Sequence, residues 1–285
     1  MVDVTRSYVV CATPRSGSTL LCELLKGTGV AGRPEEYFEA RPETGLPAHP
    51  GDYLDGLPRT GAGIRDDTTP PRAPEYSSLV GLESYRRHLE RTFRAGTTSN
   101  GVFGTKLMWR HVQTLGTLAG SLPEFGGLGT HDLLTSLLRD PRYVWMTRND
   151  KLRQAISLWR ALQTRQWRLD HHNQDAPAVQ LQYSFEGIDH LVNVLHADDA
   201  AWREHFDAHG IRALTVVYED DLESDQTRTV EAVLAHIGIA PPAAWRAPIQ
   251  MQRQADELSD AWAEAYDGDG AARRESEGPA AAIGR

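Results

Sequence analysis

The chain has 285 residues, 40% of them hydrophobic, a formal net charge of −9 and two cysteines. That is apolar material enough for one large α/β domain or two ordinary ones, and too acidic a balance for general binding to nucleic acid or anionic lipid, which needs basic stripes. Cys11 and Cys22 give neither a disulfide framework nor a paired metal-ligand spacing, the opening "MVDVTRSYVVCATPRSG" has no secretory pattern, and no run of about 18 apolar residues occurs, so a cytoplasmic protein without a membrane span is expected.

In chain order, "SYVVCA" (7–12) reads as a buried strand that runs into the turn "TPRSGST" and then an apolar-periodic helix. A strand, a glycine turn and a helix N-terminus aim several backbone N–H groups at one point, which attracts anions. Gly17 permits close backbone approach, Ser16, Ser18 and Thr19 add hydroxyls, and Arg15 can fork onto anionic oxygens. A Walker A loop would carry lysine where Ser18 stands, so the tail of ATP is a poor match. After the helix comes "GVAGRPEEYFEA" (29–40), with three carboxylates, Glu35, Glu36 and Glu39. In a short helix Glu36 and Glu39 share a face, so one can take a proton while the other holds hydroxyls, with Tyr37 and Phe38 as a stacking wall.

Residues 41–75 hold seven prolines and five glycines and read as a long loop over an acceptor pocket, within which Asp52 and Tyr53 are read as acceptor contacts. Leu82, Tyr85, Leu89 and Phe93 keep helical spacing. "GVFGTKL" (101–107) is a second strand, with Lys106 near its end where it can neutralise a departing oxyanion. "RYVWMTR" (142–148) is a third, followed by a helix whose Ile156, Trp159 and Leu162 form a core stripe. "ALTVVYE" (213–219) is a fourth, followed by the acidic "YEDDLE". Strands alternating with helices predict a central, mostly parallel sheet flanked by helices. The eleven histidines, the pair His171 and His172 included, show no metal motif, and no metal is expected. The polar, small-residue stretch from Gly268 reads as a disordered tail, which leaves a single domain over 1–267.

"TPRSGSTLL" resembles the 5′-phosphosulfate loop of sulfotransferases, in which the basic residue precedes the glycine. The resemblance makes Pro14, Arg15, Ser16, Gly17, Ser18 and Thr19 the donor loop for 3′-phosphoadenosine 5′-phosphosulfate, PAPS, with adenosine bisphosphate, PAP, as product and no metal. It also implies a second site for the 3′-phosphate, at Arg148 and Ser157, nine residues apart where the family commonly has eight. "GRPEEYFEA", "FGTKLMW" (103–109) and "TRNDKLRQAISLWRALQTRQW" (147–167) are similar to the bacterial trehalose 2-sulfotransferase family. That family implies a P-loop NTPase-like sandwich, a homodimer, Glu36 as catalytic base, and Arg33, Glu36, Tyr37, Phe38 and Glu39 around a disaccharide. It implies in-line sulfuryl transfer to the 2-hydroxyl of trehalose. An ATP-dependent small-molecule kinase and a non-catalytic nucleotide sensor are the alternatives from other classes.

Overall fold

The computed structural model describes residues 3–39, 53–55, 57, 82–164, 167, 180–243, 245–248 and 257–277. Four parallel strands form one sheet in the order β2-β1-β3-β4: β1 (Arg6–Ala12), β2 (Val102–Met108), β3 (Arg142–Thr147) and β4 (Leu214–Val217). Each of the four strand segments expected from sequence is present. β1 is flanked on both sides, and its near-continuous apolar run suits burial on both faces.

The period-2 alternation of strand side chains divides the core into two layers. Val9, Cys11, Phe103 and Leu107 face α2 (Leu82–Gly96), α3 (Trp109–Gly120), α4 (Thr130–Leu138) and the end of α6 (Phe185–Ala208). Tyr8, Val10, Ala12, Val144 and Met146 face α1 (Ser18–Gly27) and α7 (Gln226–His236). A third cluster, with Trp159, Ile188, Leu195 and Trp262 at its centre, joins α5 (Lys151–Thr164), α6 and α8 (Glu257–Glu277). Trp159 is core, its indole N–H donating to Gln182 O at 2.8 Å. Among the described residues no helix is long and apolar enough to cross a membrane.

Helix α8 corrects one expectation, because residues 268–277 of the supposed disordered tail are helical. Gly268 and Gly270 make this stretch a weak helix by propensity. Docking supplies the difference: Tyr266 stacks on Phe185 with centroids 4.8 Å apart, and Arg273 lies over the Phe185 ring and pairs with Glu186. Residues 278–285, most of 41–75 with Asp52, and the pair His171 and His172 lie outside the described residues.

The strand order places the site. The chain leaves β1 for β2 on one side and later returns to β3 on the other, so a crevice opens beyond the C-terminal ends of β1 and β3. Register aligns Ala12 with Met108 and with Met146, so the segments that follow these three strands emerge side by side.

Candidate active site

The turn after β1 forms the floor of that crevice. Arg15 and Gly17 both take left-handed backbone angles, φ 61° and 93°, around Ser16, which turns successive N–H groups toward one side. A side chain at position 17 would meet Tyr218 Cδ2 at 2.5 Å, so only glycine fits against that ring. Gly17 also starts α1, which has no side-chain cap and no acidic residue in its first turn. The positive end of the helix therefore faces the crevice without a neutralising group of its own. Ser16 Oγ is fully buried with no hydrogen-bond partner among the described residues. These features fit an anionic group seated on the loop.

From β3 and α5 come the cations. Asp150 caps α5 by accepting from Arg153 N at 2.8 Å, and this projects Ser157 back toward the loop. Arg15 Nε donates to Ser157 Oγ at 3.0 Å, and its Nη1 donates to Trp167 O at 2.8 Å. Burial, with Arg148 and Arg160 close by, pushes the Arg15 guanidinium below its ordinary value, although arginine stays charged. Arg148 pairs through Nε with Glu219 Oε1 at 3.1 Å and lies 4.9 Å from the centre of the Tyr218 ring. Glu219, in the π-helical turn Tyr218–Leu222, also accepts from the N–H groups of Asn149 and Asp150. Burial raises its pKa, but those N–H groups and Arg148 outweigh that and hold it lowered. "YEDDLE" is thus the support of the arginine, and Arg160, one turn beyond Ser157, is a cation that sequence reasoning missed.

A buried network underlies the loop. Lys151 Nζ lies 2.6 Å from Asp199 Oδ2, which also accepts from Thr147 Oγ1 at 2.7 Å. Gln154 Nε2 donates to Thr13 Oγ1 at 2.9 Å and to Pro14 O at 2.7 Å, which fixes the loop's entry. Ser18 is buried at the start of α1.

The third wall is "RPEEYFE". Gly32, φ 71°, presses on β2, where a side chain would meet Gly104 N at 2.6 Å. Glu35 O then accepts from Lys106 N at 2.9 Å and Thr105 Oγ1 at 3.1 Å, so the segment runs along β2 and turns at Tyr37 and Phe38. No short helix forms here, because the backbone groups are taken by β2. Glu35 turns to Lys26, and Arg33 turns outward to Thr97 O. Phe38 is 2% exposed and belongs to the core, so it is no stacking wall; Tyr37 stacks on Phe103.

Lys106 joins this wall to the loop. It is 3% exposed, donates to Thr19 Oγ1 at 3.1 Å and lies 2.5 Å from Glu36 Oε1. Burial works to raise the Glu36 pKa, yet the Lys106 ammonium and hydrogen bonds from Glu39 and Lys106 prevail and lower it. Glu39 is raised, first by burial and then by the Glu36 charge it is bonded to. The two carboxyls therefore share one proton, which Glu39 carries and donates to Glu36.

Tyr53 closes the space beyond. Arg110 lies 4.0 Å from its ring centre and pairs at 3.6 Å with Asp198, and burial pushes the Tyr53 phenol up. Burial raises the Asp198 carboxyl despite Arg110. Arg110 and Asp198 escaped sequence reasoning. Arg110 directly follows "FGTKLMW", but Asp198 lies mid-helix and only the packing of α6 brings it here.

A family model described as "Stf0 sulphotransferase" matches residues 7–269. The chain is 35% identical over 274 residues to the trehalose 2-sulfotransferase of Mycobacterium tuberculosis (strain ATCC 35801 / TMC 107 / Erdman), covering 93% of this chain and 96% of that protein. It is 34% identical over 272 residues to the trehalose 2-sulfotransferase of Mycolicibacterium smegmatis (strain ATCC 700084 / mc(2)155), with the same coverage. A left-handed turn at an uncapped helix start, clustered arginines and a carboxyl pair beside a buried lysine thus occur in a chain that belongs to the Stf0 sulphotransferase family.

Proposed function

We propose that this sulfotransferase moves a sulfuryl group from PAPS to the 2-hydroxyl of trehalose. The observation that carries the reading is the Lys106 ammonium, which contacts Thr19 of the anion loop and Glu36 of the acceptor wall at once. The names of the two relatives supply the acceptor.

The loop Pro14–Thr19 holds the 5′-phosphosulfate, its N–H groups and Arg15 bearing the charge that grows on the leaving phosphate. Arg148 and Ser157 hold the 3′-phosphate, with Arg160 adding positive potential. Glu36, ionised because Lys106 is beside it, takes the proton of the attacking hydroxyl as oxygen bonds to sulfur and the bond from sulfur to the phosphate oxygen breaks. Lys106 donates toward that departing oxygen. As it leans there Glu36 loses its counter-charge and becomes a stronger base, so one ammonium couples proton uptake to leaving-group stabilisation. Glu39, whose one proton is engaged by Glu36, accepts from sugar hydroxyls through its other oxygen, and Arg110, Asp198 and Tyr53 line the acceptor space. We also infer a cytoplasmic homodimer, on the resemblance alone.

Mixing the purified protein with PAPS and trehalose should yield PAP and 2-sulfated trehalose, in the presence of EDTA as well. Consumption of ATP with a Mg²⁺ requirement would instead establish a kinase. Transfer from PAPS to another sugar but not to trehalose would keep the donor half of the reading and remove the acceptor half.

A further inference from the structure

Outside this crevice, three histidines meet where α4 begins and α6 ends. His131 sits in the first turn of α4, while His205 and His209 are one turn apart at the end of α6. One ring nitrogen from each lies within 4.8 Å of those of the other two. His205 is about seven residues beyond Asp198 and Asp199, so the cluster stands roughly 10 Å further along the helix than the residues that serve the crevice.

A packed aromatic cluster would account for part of this. The His131 and His209 rings stack 4.3 Å apart, and Trp109, Trp202, Tyr143 and Phe206 surround His205. Packing does not account for the polar atoms. His205 is 6% exposed and its Nε2 has no hydrogen-bond partner, and the same holds of the buried Nδ1 of His131, both among the described residues. Buried nitrogens are costly when unpaired, and imidazoles grouped without carboxylates are the donor set of a borderline cation. The third ring is arranged to match. His209 Nδ1 is 2.9 Å from His205 O, and since a carbonyl only accepts, that nitrogen carries the proton and leaves Nε2 with its lone pair outward. Such a second hydrogen bond is how ligating histidines are commonly oriented.

We propose that His131, His205 and His209 form a binding site for a divalent transition cation of the zinc class, distinct from the sulfuryl-transfer site. Bonds of about 2.0–2.1 Å in a tetrahedron bring nitrogens to roughly 3.4 Å, so small rotations of the rings complete the site and leave a fourth position for water. Bound metal would tie the start of α4 to the end of the helix that carries Asp198 and Asp199.

The test uses the untagged full-length chain and zinc chloride alone. Calorimetry should give saturable binding of a single equivalent, cobalt should give the visible absorption of a tetrahedral nitrogen site, and zinc should raise the melting temperature. His209 is exposed, so His209→Ala keeps the fold, with an unchanged melting temperature without metal, yet should weaken zinc at least about tenfold and abolish the cobalt spectrum. His131→Asn should do the same. If the wild type shows no saturable binding, or if both variants hold zinc as tightly as it does because the metal sits at other histidines, the site does not exist.

Discussion

The Lys151 ammonium and the Asp199 carboxylate form an ion pair of 2.6 Å beneath the anion loop, both less than a tenth exposed. Removing one partner strands the other in a place with no water to receive it. Asp199→Ala should cost about 3–5 kcal/mol of stability, read from urea unfolding, and weaken PAP as the hydroxyls of Thr13, which donates to Asp199 Oδ1 at 3.4 Å, and of Thr147 lose their acceptor. Replacing both partners together with apolar residues, Lys151→Met with Asp199→Leu, should recover most of the stability and not the nucleotide affinity. Equal recovery of both would mean the pair does not hold the loop.

Arg148 tests the second anion site. Arg148→Ala should cost about 2–4 kcal/mol of PAP affinity, as loss of a charge-assisted contact does, and leave adenosine 5′-phosphosulfate nearly unaffected. Equal losses for the two nucleotides would show that Arg148 does not read the 3′-phosphate.

The three glutamates should separate cleanly in steady-state kinetics with trehalose. Glu36→Gln should lower kcat by about 10²–10⁴-fold with PAP affinity near wild type. Glu35→Gln should leave kcat largely intact, since Glu35 turns to Lys26. Glu39→Gln should chiefly raise the trehalose KM. A Glu36→Gln enzyme that keeps more than about a tenth of its turnover removes Glu36 as the base.

Acidity gives an independent reading of the carboxyl pair. Lys106 holds Glu36 below the ordinary carboxylate range, so the acid limb of kcat/KM should lie low in pH, and Lys106→Met should move it upward as well as reduce kcat. Glu39 has a raised folded pKa, so between its unfolded and folded values the folded state holds a proton that the unfolded state has lost. Stability should fall as pH rises through that window, and be fully retained below it. Glu39→Gln removes the penalty, so its melting temperature should exceed the parent's at neutral pH and converge with it on acidification. A constant difference at every pH would show that the pair shares no proton.

Much of this arrangement was legible in one dimension. The four strands announce themselves by apolar runs between turn residues, and the Arg15, Gly17 and Thr19 turn by its spacing. The sequence pairs Ser157 with Arg148, whereas Ser157 accepts from Arg15 and Arg148 is held by Glu219. What escaped depends on partners distant in the chain. The "EEYFE" run has the composition of a helix, but β2 takes the Glu35 carbonyl first. The tail from Gly268 looks structureless until Phe185 and Glu186 dock it. His205 and His209 at i and i+4 are a readable pair on a helix, whereas His131 joins them only through the packing of α4 on α6. Asp198 and Asp199 are adjacent letters that meet different partners, Arg110 and Lys151, a distinction that only the rotation of the helix makes.

Arg15, Arg148 and Arg160 stand close together in a chain whose net charge is −9. At low ionic strength, where the Debye length is about 30 Å at 0.01 M, an approaching polyanionic nucleotide first meets the repulsion of the whole chain, and only close in the attraction of the three guanidiniums. Added salt screens the outer repulsion as well as the inner grip. The encounter rate should then rise with ionic strength while the residence time shortens. This is the reverse of the rate behaviour of basic nucleotide-binding proteins, whose long-range field and contact charges have the same sign.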